Sequence, residues 1–132
     1  MKKETSWDKV ADWYDELLEE SPDSFQAKVI LPNLLRILNI KAQKSEQGES
    51  LLKIIDIACG QGYFSRALAS AGAKVTGADI SSELIAKAKE RSPKEISFHV
   101  ASADKLNFAQ NNSFDAALII LSLQNMENIS GV

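Results

Sequence analysis

The sequence predicts an α/β domain with a Rossmann-like, doubly wound and mostly parallel sheet, preceded by helices. Short apolar segments alternate with segments whose apolar residues recur at helical spacing, as in parallel strands joined by helical crossovers. One apolar segment, residues 51–57, runs into a turn with two glycines and then into a helix, as a central strand of such a sheet does. Acidic residues end or follow three successive strands, so polar groups are expected at one edge of the sheet.

The composition fits one globular domain. The chain has 132 residues, of which 45% are hydrophobic and 25% charged, enough for a single sizeable core. A formal net charge of −3 gives no electrostatic footprint for nucleic acid, so no such partner is expected. Cys59 is the single cysteine, which excludes an internal disulfide and suits a reducing cytoplasm. Because no apolar run approaches the roughly 20 residues of a membrane span, we expect a cytoplasmic protein.

Residues 1–50 are predicted to form a helical cap and a linker. Apolar residues at helical spacing predict an amphipathic helix from about Ser6 to Glu20. Its predicted apolar face comprises Trp7, Val10, Ala11, Tyr14, Leu17 and Leu18. A second helix is expected from Ser21, with an interruption at Pro32. Residues 41–50 lack apolar periodicity and are expected to form an exposed loop.

Tyr14 has two interpretations on the sequence alone. Together with Trp7 it packs the first helix onto the body of the domain, or else Tyr14 or Trp13 forms part of a lid over a ligand. The first interpretation needs only an amphipathic helix, and the second needs a ligand site beneath that helix. We keep both interpretations open.

Residues 51–132 are predicted to form a cofactor-binding core in which strands alternate with helices. Strands are expected at residues 51–57, 74–80, 96–100 and 116–121. One helix is expected over residues 64–71, where Gly72 can end it. The next helix is expected from a cap at Ser81 or Ser82 to just before Pro93.

Three acids mark the predicted ligand edge of the sheet. Asp56 precedes the glycine turn, Asp79 ends the second strand and Asp104 follows the third. A single Asp is weak evidence because Asp commonly caps turns, but three at equivalent places outline a ligand. Asp79 is placed to accept hydrogen bonds from ribose hydroxyls, Asp104 from an exocyclic amine, and Asp56 can hold an ammonium group. The ligand outlined has a ribose, a base with an amine, and a positive end.

The turn between the first strand and its helix is built from small residues. Ala58, Gly60 and Gly62 leave room for a sharp turn and for a ligand to lie against the backbone. The free N–H groups at the start of the following helix face the same space. Taken alone, the turn indicates a nucleotide-type cofactor.

Together these features resemble the class I S-adenosylmethionine-dependent methyltransferases. The matching segments are residues 56–62 (Asp-Ile-Ala-Cys-Gly-Gln-Gly), 75–81, 101–104 and 114–115. The N-terminal segment from Trp7 to Asp15 is similar to small-molecule methyltransferases of the ubiquinone/menaquinone-biosynthesis type. The resemblance implies direct displacement of a methyl group from S-adenosylmethionine to a small-molecule acceptor.

The resemblance also implies which residues bind the cofactor. The loop from Ala58 through Cys59 and Gly60 to Gly62 would lie along the methionine portion, and Asp79 would hold the ribose. Ile80 would pack on the adenine, and Asp104 would bind its amino group. Residues 121–123 would line the methionine end. The implied cofactor-binding set is Tyr14, Asp56, Ala58, Cys59, Gly60, Gly62, Asp79, Ile80, Ala103, Asp104 and Leu121.

The sequence departs from the family pattern in two places. Ala58 stands where the first glycine of the loop is usual. The chain also stops after the fourth strand. The strand order of the family then implies the order 3-2-1-4, with the later strands missing. The fourth strand would then present a bare apolar edge, which is a pairing liability. We expect a second copy of the chain, as a homodimer, or rearranged segments to cover this edge.

Two other functions stay open. A nicotinamide-dependent oxidoreductase is less favoured because Ser65 occupies the third position of the G-x-G-x-x-G fingerprint. A cofactor-binding module without activity of its own is favoured by the early end of the chain. His99 is expected to be structural or solvent-facing, and Cys59 a small loop residue rather than a nucleophile. We assign no catalytic residue and no metal, and the acceptor is not readable from the sequence.

Overall fold

Four parallel strands form one sheet in the order β3-β2-β1-β4. The structure is a computed structural model that describes residues 4–40, 52–110, 113–122, 125–126 and 128–132. The strands are β1 (Lys53–Ile57), β2 (Lys74–Asp79), β3 (Ser97–Val100) and β4 (Ala116–Ile119). The helices are α1 (Ala11–Glu19), α2 (Leu31–Leu38), α3 (Tyr63–Ser70) and α4 (Ser82–Arg91). The predicted fold class and strand order are confirmed, whereas the predicted loop at 41–50 lies outside the described residues.

β1 is the central strand because its side chains are buried on both faces of the sheet. It pairs in parallel with β2 on one side and with β4 on the other. Asp115 fixes the register of β4, since its N–H donates to the Lys53 carbonyl and its Oδ2 accepts the Lys53 N–H, each at 2.8 Å. β4 ends at Ile119, two residues before the predicted end, and Leu121 already has a left-handed φ of 55°.

The two core helices begin and end close to the predicted residues. Ser81 caps α4, because its Oγ accepts the Leu84 N–H at 3.1 Å. Gly72 follows α3 with a φ of 114°, and the next residue, Ala73, donates its N–H back to the Leu68 carbonyl at 3.1 Å. α3 leads into β2 and α4 leads into β3, and each of these strands lies parallel to its neighbour in the sheet.

The N-terminal helices are shorter than predicted. A single 3₁₀ turn, Asp8–Val10, precedes α1, and Thr5 and Asp8 hydrogen-bond each other at its start. The prediction that the second helix starts at Ser21 is wrong, because Ser24 provides the cap by accepting the Ala27 N–H at 3.2 Å. A π-helical turn, Gln26–Ile30, then leads into α2, so the interruption expected around Pro32 is a change of helix type.

The buried face of α1 differs from the predicted one. The helix buries Ala11, Asp15 and Leu18, while Val10 and Leu17, both placed on the apolar face, are exposed. Asp15 can be buried because the buried amide of Gln61 and the guanidinium of Arg91 pair with it. Hydrophobic periodicity could not reveal this rotation, since the partners of Asp15 are distant in sequence.

None of the helices in the described residues is long and apolar enough to cross a membrane.

Candidate functional site

The loop of residues 58–62 turns sharply at the carboxyl end of β1. Ala58, Gly60 and Gly62 all have left-handed φ values, of 58°, 58° and 88°. The turn is closed by the Cys59 N–H, which donates to the Ala78 carbonyl of β2 at 3.0 Å. Glycine adopts this backbone region freely, but alanine does so at a cost of about 1–2 kcal/mol. Ala58, the departure from the family pattern, is therefore a strained residue.

Asp79 joins this loop to the end of β2. Its Oδ2 accepts the Gly60 N–H at 2.9 Å, and its Oδ1 accepts the Ser81 N–H at 2.8 Å. Burial raises the pKa of Asp79, although these two backbone hydrogen bonds oppose the shift. Each carboxylate oxygen keeps a second lone pair, so the group can accept two further hydrogen bonds from a ligand.

Asp56 lies behind the loop and is 2% exposed. The Ser65 hydroxyl of α3 donates to its Oδ2 at 2.7 Å. Burial raises the pKa of Asp56 to about 7; the Ser65 hydrogen bond opposes the shift, and the negative charge of Asp79 adds to it. A positive charge brought nearby would stabilise the ionised form of Asp56.

Tyr14 lies over the loop. A Cβ added at Gly60 would be 3.2 Å from Tyr14 Cε1, so the ring rests directly against the backbone of the loop. The Trp7 ring packs edge-on against Tyr14 at a centroid distance of 5.7 Å. Burial raises the Tyr14 pKa, and the negative charges of Asp79 and Asp56 raise it further. Tyr14 therefore packs α1 onto the loop, and its role as a lid over a ligand stays a prediction.

Cys59 points away from the ligand edge. Its Sγ would be 2.9 Å from a Cβ added at Gly77, and the Phe98 ring would be 2.7 Å from the same point. Burial raises the pKa of the Cys59 thiol well above its usual value, so the thiol stays protonated. The side chain packs beneath the loop, and only the backbone of Cys59 is part of the ligand edge.

Two apolar side chains stand exposed just beyond strand ends. Ile80 follows β2 and is 47% exposed, and Leu121 follows β4 and is 56% exposed. Leu121 also has a left-handed φ, so strained residues follow both β1 and β4. Strain of this kind persists only where the surrounding structure enforces it, and it is common at ligand sites.

Asp104 is positioned by partners of its own. Its Oδ1 accepts the Ser102 hydroxyl, and its Oδ2 accepts the Asn128 side-chain N–H at 3.1 Å. These bonds, that of Ser102 first, lower the Asp104 pKa. Ala103 beside it is half-buried. Asp56, Asp79 and Tyr14 thus gather at the loop, whereas Asp104 stands at the end of β3 beside the C-terminal turn.

His99 stacks on Phe108, with ring centroids 3.9 Å apart and planes 7° from parallel.

Among the described residues, no group of three or more His, Cys, Asp or Glu side chains could hold a metal ion.

The contacts of Gln61 with α1 were not predicted from the sequence. This residue is fully buried, and its amide donates to Asp15 and Glu19 of α1. A glutamine between two glycines carries no signal of its own. The four-residue spacing of the two acids on α1 was the available hint, but it shows only that they share one helix face.

Residues 54–130, more than half of the chain, match the family of methyltransferase domains. The chain therefore belongs to this family. The predicted membership in the class I S-adenosylmethionine-dependent methyltransferases is confirmed, as is S-adenosylmethionine as the cofactor of that class.

Similar proteins agree with this family. The chain is 38% identical over 91 residues, 68% of its length, to a demethylmenaquinone methyltransferase of Chlorobaculum parvum. It is 30% identical over 123 residues, 91% of its length, to a ubiquinone biosynthesis O-methyltransferase of Methylococcus capsulatus. A solved S-adenosylmethionine-dependent methyltransferase from Mesorhizobium loti superposes on 76% of the chain with a TM-score of 0.56 and 33% identity. The matches span 37%, 48% and 46% of those three proteins.

Replacing Ala58 by glycine is expected to stabilise the protein. The change removes a left-handed strain of about 1–2 kcal/mol and adds about 0.5–1 kcal/mol of unfolded-state entropy. The free energy of unfolding, measured in urea, should therefore rise by about 0.5–1 kcal/mol. Ala69→Gly, within α3, is the matched control and should destabilise by about 1 kcal/mol. Equal destabilisation by both changes would show that Ala58 is unstrained.

Asp56 is expected to make stability fall as pH rises. Its carboxyl holds a proton in the folded state up to a pKa of about 7 but loses it near 3.8 when unfolded. Its contribution is complete below pH 3.8 and is lost between that value and about 7. The loss is on the order of a few kcal/mol.

Asp56→Asn keeps the shape of the side chain and an acceptor for Ser65, so it should remove this dependence. Urea unfolding of both proteins at several pH values measures the difference. Asp23→Asn, at an exposed position, is the control and should leave the slope unchanged. If the free energy of unfolding differs between the wild type and Asp56→Asn by the same amount at every pH from 4 to 7, the raised pKa of Asp56 is contradicted.

Proposed function

We propose that this chain binds S-adenosylmethionine across the carboxyl ends of its strands and transfers the methyl group to a small-molecule acceptor. The observation that carries the proposal is the hydrogen bond between Asp79 and the Gly60 N–H. It sets a buried carboxylate and a close-approach backbone loop side by side, which suits a ribose next to an extended tail. Family membership supports the same ligand.

The residues present fit that cofactor. We assign the ribose hydroxyls to the free lone pairs of Asp79 and the adenine face to the exposed side chain of Ile80. We assign the adenine amino group to Ala103 and Asp104. The Asp104 carboxylate would then accept hydrogen bonds from both Asn128 and the adenine amino group. The methionine portion is assigned to the loop and Leu121, and its ammonium group to Asp56, reached through a water because Asp56 is buried. Tyr14 would cover that portion.

The chemistry asks mainly for positioning from the protein. When bound, S-adenosylmethionine supplies a methyl group on a positively charged sulfur that is itself the leaving group. The chain would hold the cofactor with its loop and acids, keep water out with Tyr14, and present the acceptor in line. Burial raises the pKa of Asp56 and of Asp79, and the positive charge of S-adenosylmethionine would favour their ionised forms.

We propose a small aromatic compound of the quinone-precursor type as the acceptor class, because the similar proteins are named for menaquinone and ubiquinone biosynthesis.

We also propose the division into a helical cap with linker, residues 1–50, and a cofactor-binding core, residues 51–132. The single Cys59 supports a cytoplasmic location.

The second candidate is a cofactor-binding module without turnover of its own. It is favoured by the fraction of the curated relatives that the chain spans, which is 37% and 48% for the two named above. Transfer of a labelled methyl group to an added catechol or hydroquinone by this chain would reject the module. Cofactor binding without transfer would support it. The family match gives no support to the nicotinamide alternative.

Asp79→Ala is expected to weaken S-adenosylmethionine binding by about 10- to 100-fold, because hydrogen bonds to a charged group are lost. Calorimetric titration with S-adenosylmethionine, S-adenosylhomocysteine and NAD measures the effect, and NAD should not bind. Asp23→Ala is the matched control, since Asp23 is exposed and pairs only with Lys28 among its described contacts. Circular dichroism checks the fold, and Asp79→Asn replaces the variant if Asp79→Ala does not fold. Binding of NAD without either methionine cofactor would contradict the proposal.

We also propose a homodimer through the edge of β4. Among the described residues β4 pairs only with β1, so its outer edge is open to a strand of a second copy. Light scattering at micromolar concentration should give twice the chain mass. Lys or Pro placed at Ala117, the exposed position of β4, should return it to a monomer. A monomeric wild type would contradict the homodimer.

A further inference from the structure

A short turn that follows β4 packs against Asp104 at the ligand edge. The turn is the 3₁₀ segment Ile129–Gly131, and Asn128 precedes it. The Asn128 Nδ2 donates to Asp104 Oδ2 at 3.1 Å. The backbone of the turn is close as well, since a Cβ added at Gly131 would be 3.1 Å from Asp104 Cβ. β3 and β4 are the two outer strands of the sheet, so segments that follow its opposite edges meet at Asp104.

The turn fixes which end of the Asn128 amide faces the carboxylate. The Gly131 N–H and the Ser130 hydroxyl both donate to Asn128 Oδ1, each at 3.2 Å. A carboxamide accepts hydrogen bonds only through its oxygen, so the turn occupies the acceptor end of this side chain. The Nδ2 end, which carries the N–H donors, then faces Asp104. The local structure therefore presents a donor to the carboxylate.

Glycine at position 131 makes room for this arrangement. A Cβ added at Gly131 would be 2.5 Å from Asn128 Nδ2 and 3.0 Å from its Cγ. Non-bonded atoms do not come so close, so any larger residue at this position would displace the Asn128 side chain. The contact between Asn128 and Asp104 thus depends on the backbone of the turn as well as on the amide.

Two donors hold the Asp104 carboxylate in one orientation. The Ser102 hydroxyl donates to its Oδ1, and Asn128 donates to its Oδ2. Without such partners, a carboxyl group in a loop turns over a broad range about its last side-chain bond. Fixing the orientation before the ligand arrives removes an ordering cost that binding would otherwise have to overcome. Each oxygen retains a lone pair, so the carboxylate can still accept a hydrogen bond from a ligand.

We propose that Asn128 is a positioning residue, which sets the Asp104 carboxylate for the amino group of the adenine and so makes the site prefer an amino purine to an oxo purine. This inference rests on the proposed cofactor site. An ionised carboxylate only accepts hydrogen bonds, and adenine offers it an N–H where hypoxanthine has a carbonyl oxygen. Hypoxanthine carries an N–H at the next ring position, which a carboxylate free to turn can reach. A carboxylate held in place meets the carbonyl oxygen instead.

The test compares two ligands that differ only in that group. S-adenosylhomocysteine carries the amino group, and S-inosylhomocysteine, its deaminated form, carries an oxygen in its place. Calorimetric titration of the wild type should show tighter binding of S-adenosylhomocysteine. In Asn128→Ala the ratio of the two affinities should fall by about three- to tenfold, the size of one ordinary hydrogen bond. A general loss of structure would weaken both ligands alike and leave the ratio unchanged, and circular dichroism checks the fold.

Gly131→Ala is a second variant, which keeps Asn128 in the chain. Its methyl group would displace the Asn128 amide, so the affinity ratio should fall as it does in Asn128→Ala. Ile129→Ala is the matched control in the same turn. The Ile129 side chain is 54% exposed and has no hydrogen-bonding group, so this change should leave the ratio within about twofold.

Asp104→Ala shows whether Asn128 acts through the carboxylate. In an Asp104→Ala background, Asn128→Ala should leave the affinity ratio unchanged, because the group that it positions is gone. Two results would overturn the positioning role: an unchanged ratio in a folded Asn128→Ala variant, or a further fall of the ratio when Asn128→Ala is added to Asp104→Ala.

The contact can also be measured without ligand. Hydrogen bonds from Ser102, and then from Asn128, lower the pKa of Asp104. Asn128→Ala should therefore raise this pKa, which an NMR titration of the Asp104 carboxyl carbon measures, and an unmoved pKa would count against the positioning role. Equal binding of the two ligands by the wild type would overturn this inference and leave the cofactor proposal, which rests on Asp79, intact. Failure of the wild type to bind S-adenosylhomocysteine would contradict the proposed function and this inference with it.

Discussion

The contact on which the site depends is the pair of hydrogen bonds that Asp79 accepts from Gly60 and Ser81. One carboxylate thereby fixes the loop after β1, the end of β2 and the start of α4 relative to one another. The loop needs such a tie because it carries three left-handed residues, one of them an alanine. Without it, the turn would lose the partner that holds its central N–H group in place.

Placing Asp56 and Asp79 close together inside the protein has an electrostatic cost. Burial raises the pKa of both groups, and the charge of Asp79 adds to the shift at Asp56. The Ser65 hydroxyl and the backbone N–H groups offset part of this cost. The part of this electrostatic cost that is not offset favours a bound cation at the site. The proposed cofactor carries positive charges, so its binding would lower the cost.

α1, a helix of the predicted cap, is joined to the loop, to α3 and to α4 through polar contacts. Its inner face carries Tyr14 and Asp15 side by side, so the residue that covers the loop and the residue that anchors the helix move together. The loop of residues 58–62 contributes Gln61 to this anchor. The side chain of Gln61 is buried and donates to Asp15 of α1, whereas Gly60 forms part of the ligand edge. One short loop therefore serves both the proposed ligand and the helix above it.

The sequence by itself determined the loop after β1 and the family, because these depend on residues close together in the chain, and the resemblance to that family implied the strand order. It also named Asp79 and Tyr14, both of which the structure places against Gly60. Only the tertiary structure decided which face of α1 is buried, since Asp15 owes its burial to Gln61 and Arg91, 46 and 76 residues away. Long-range pairing of polar groups leaves no periodic signal, and for that reason the polar network of Asp15, Gln61 and Arg91 could not be predicted from the sequence.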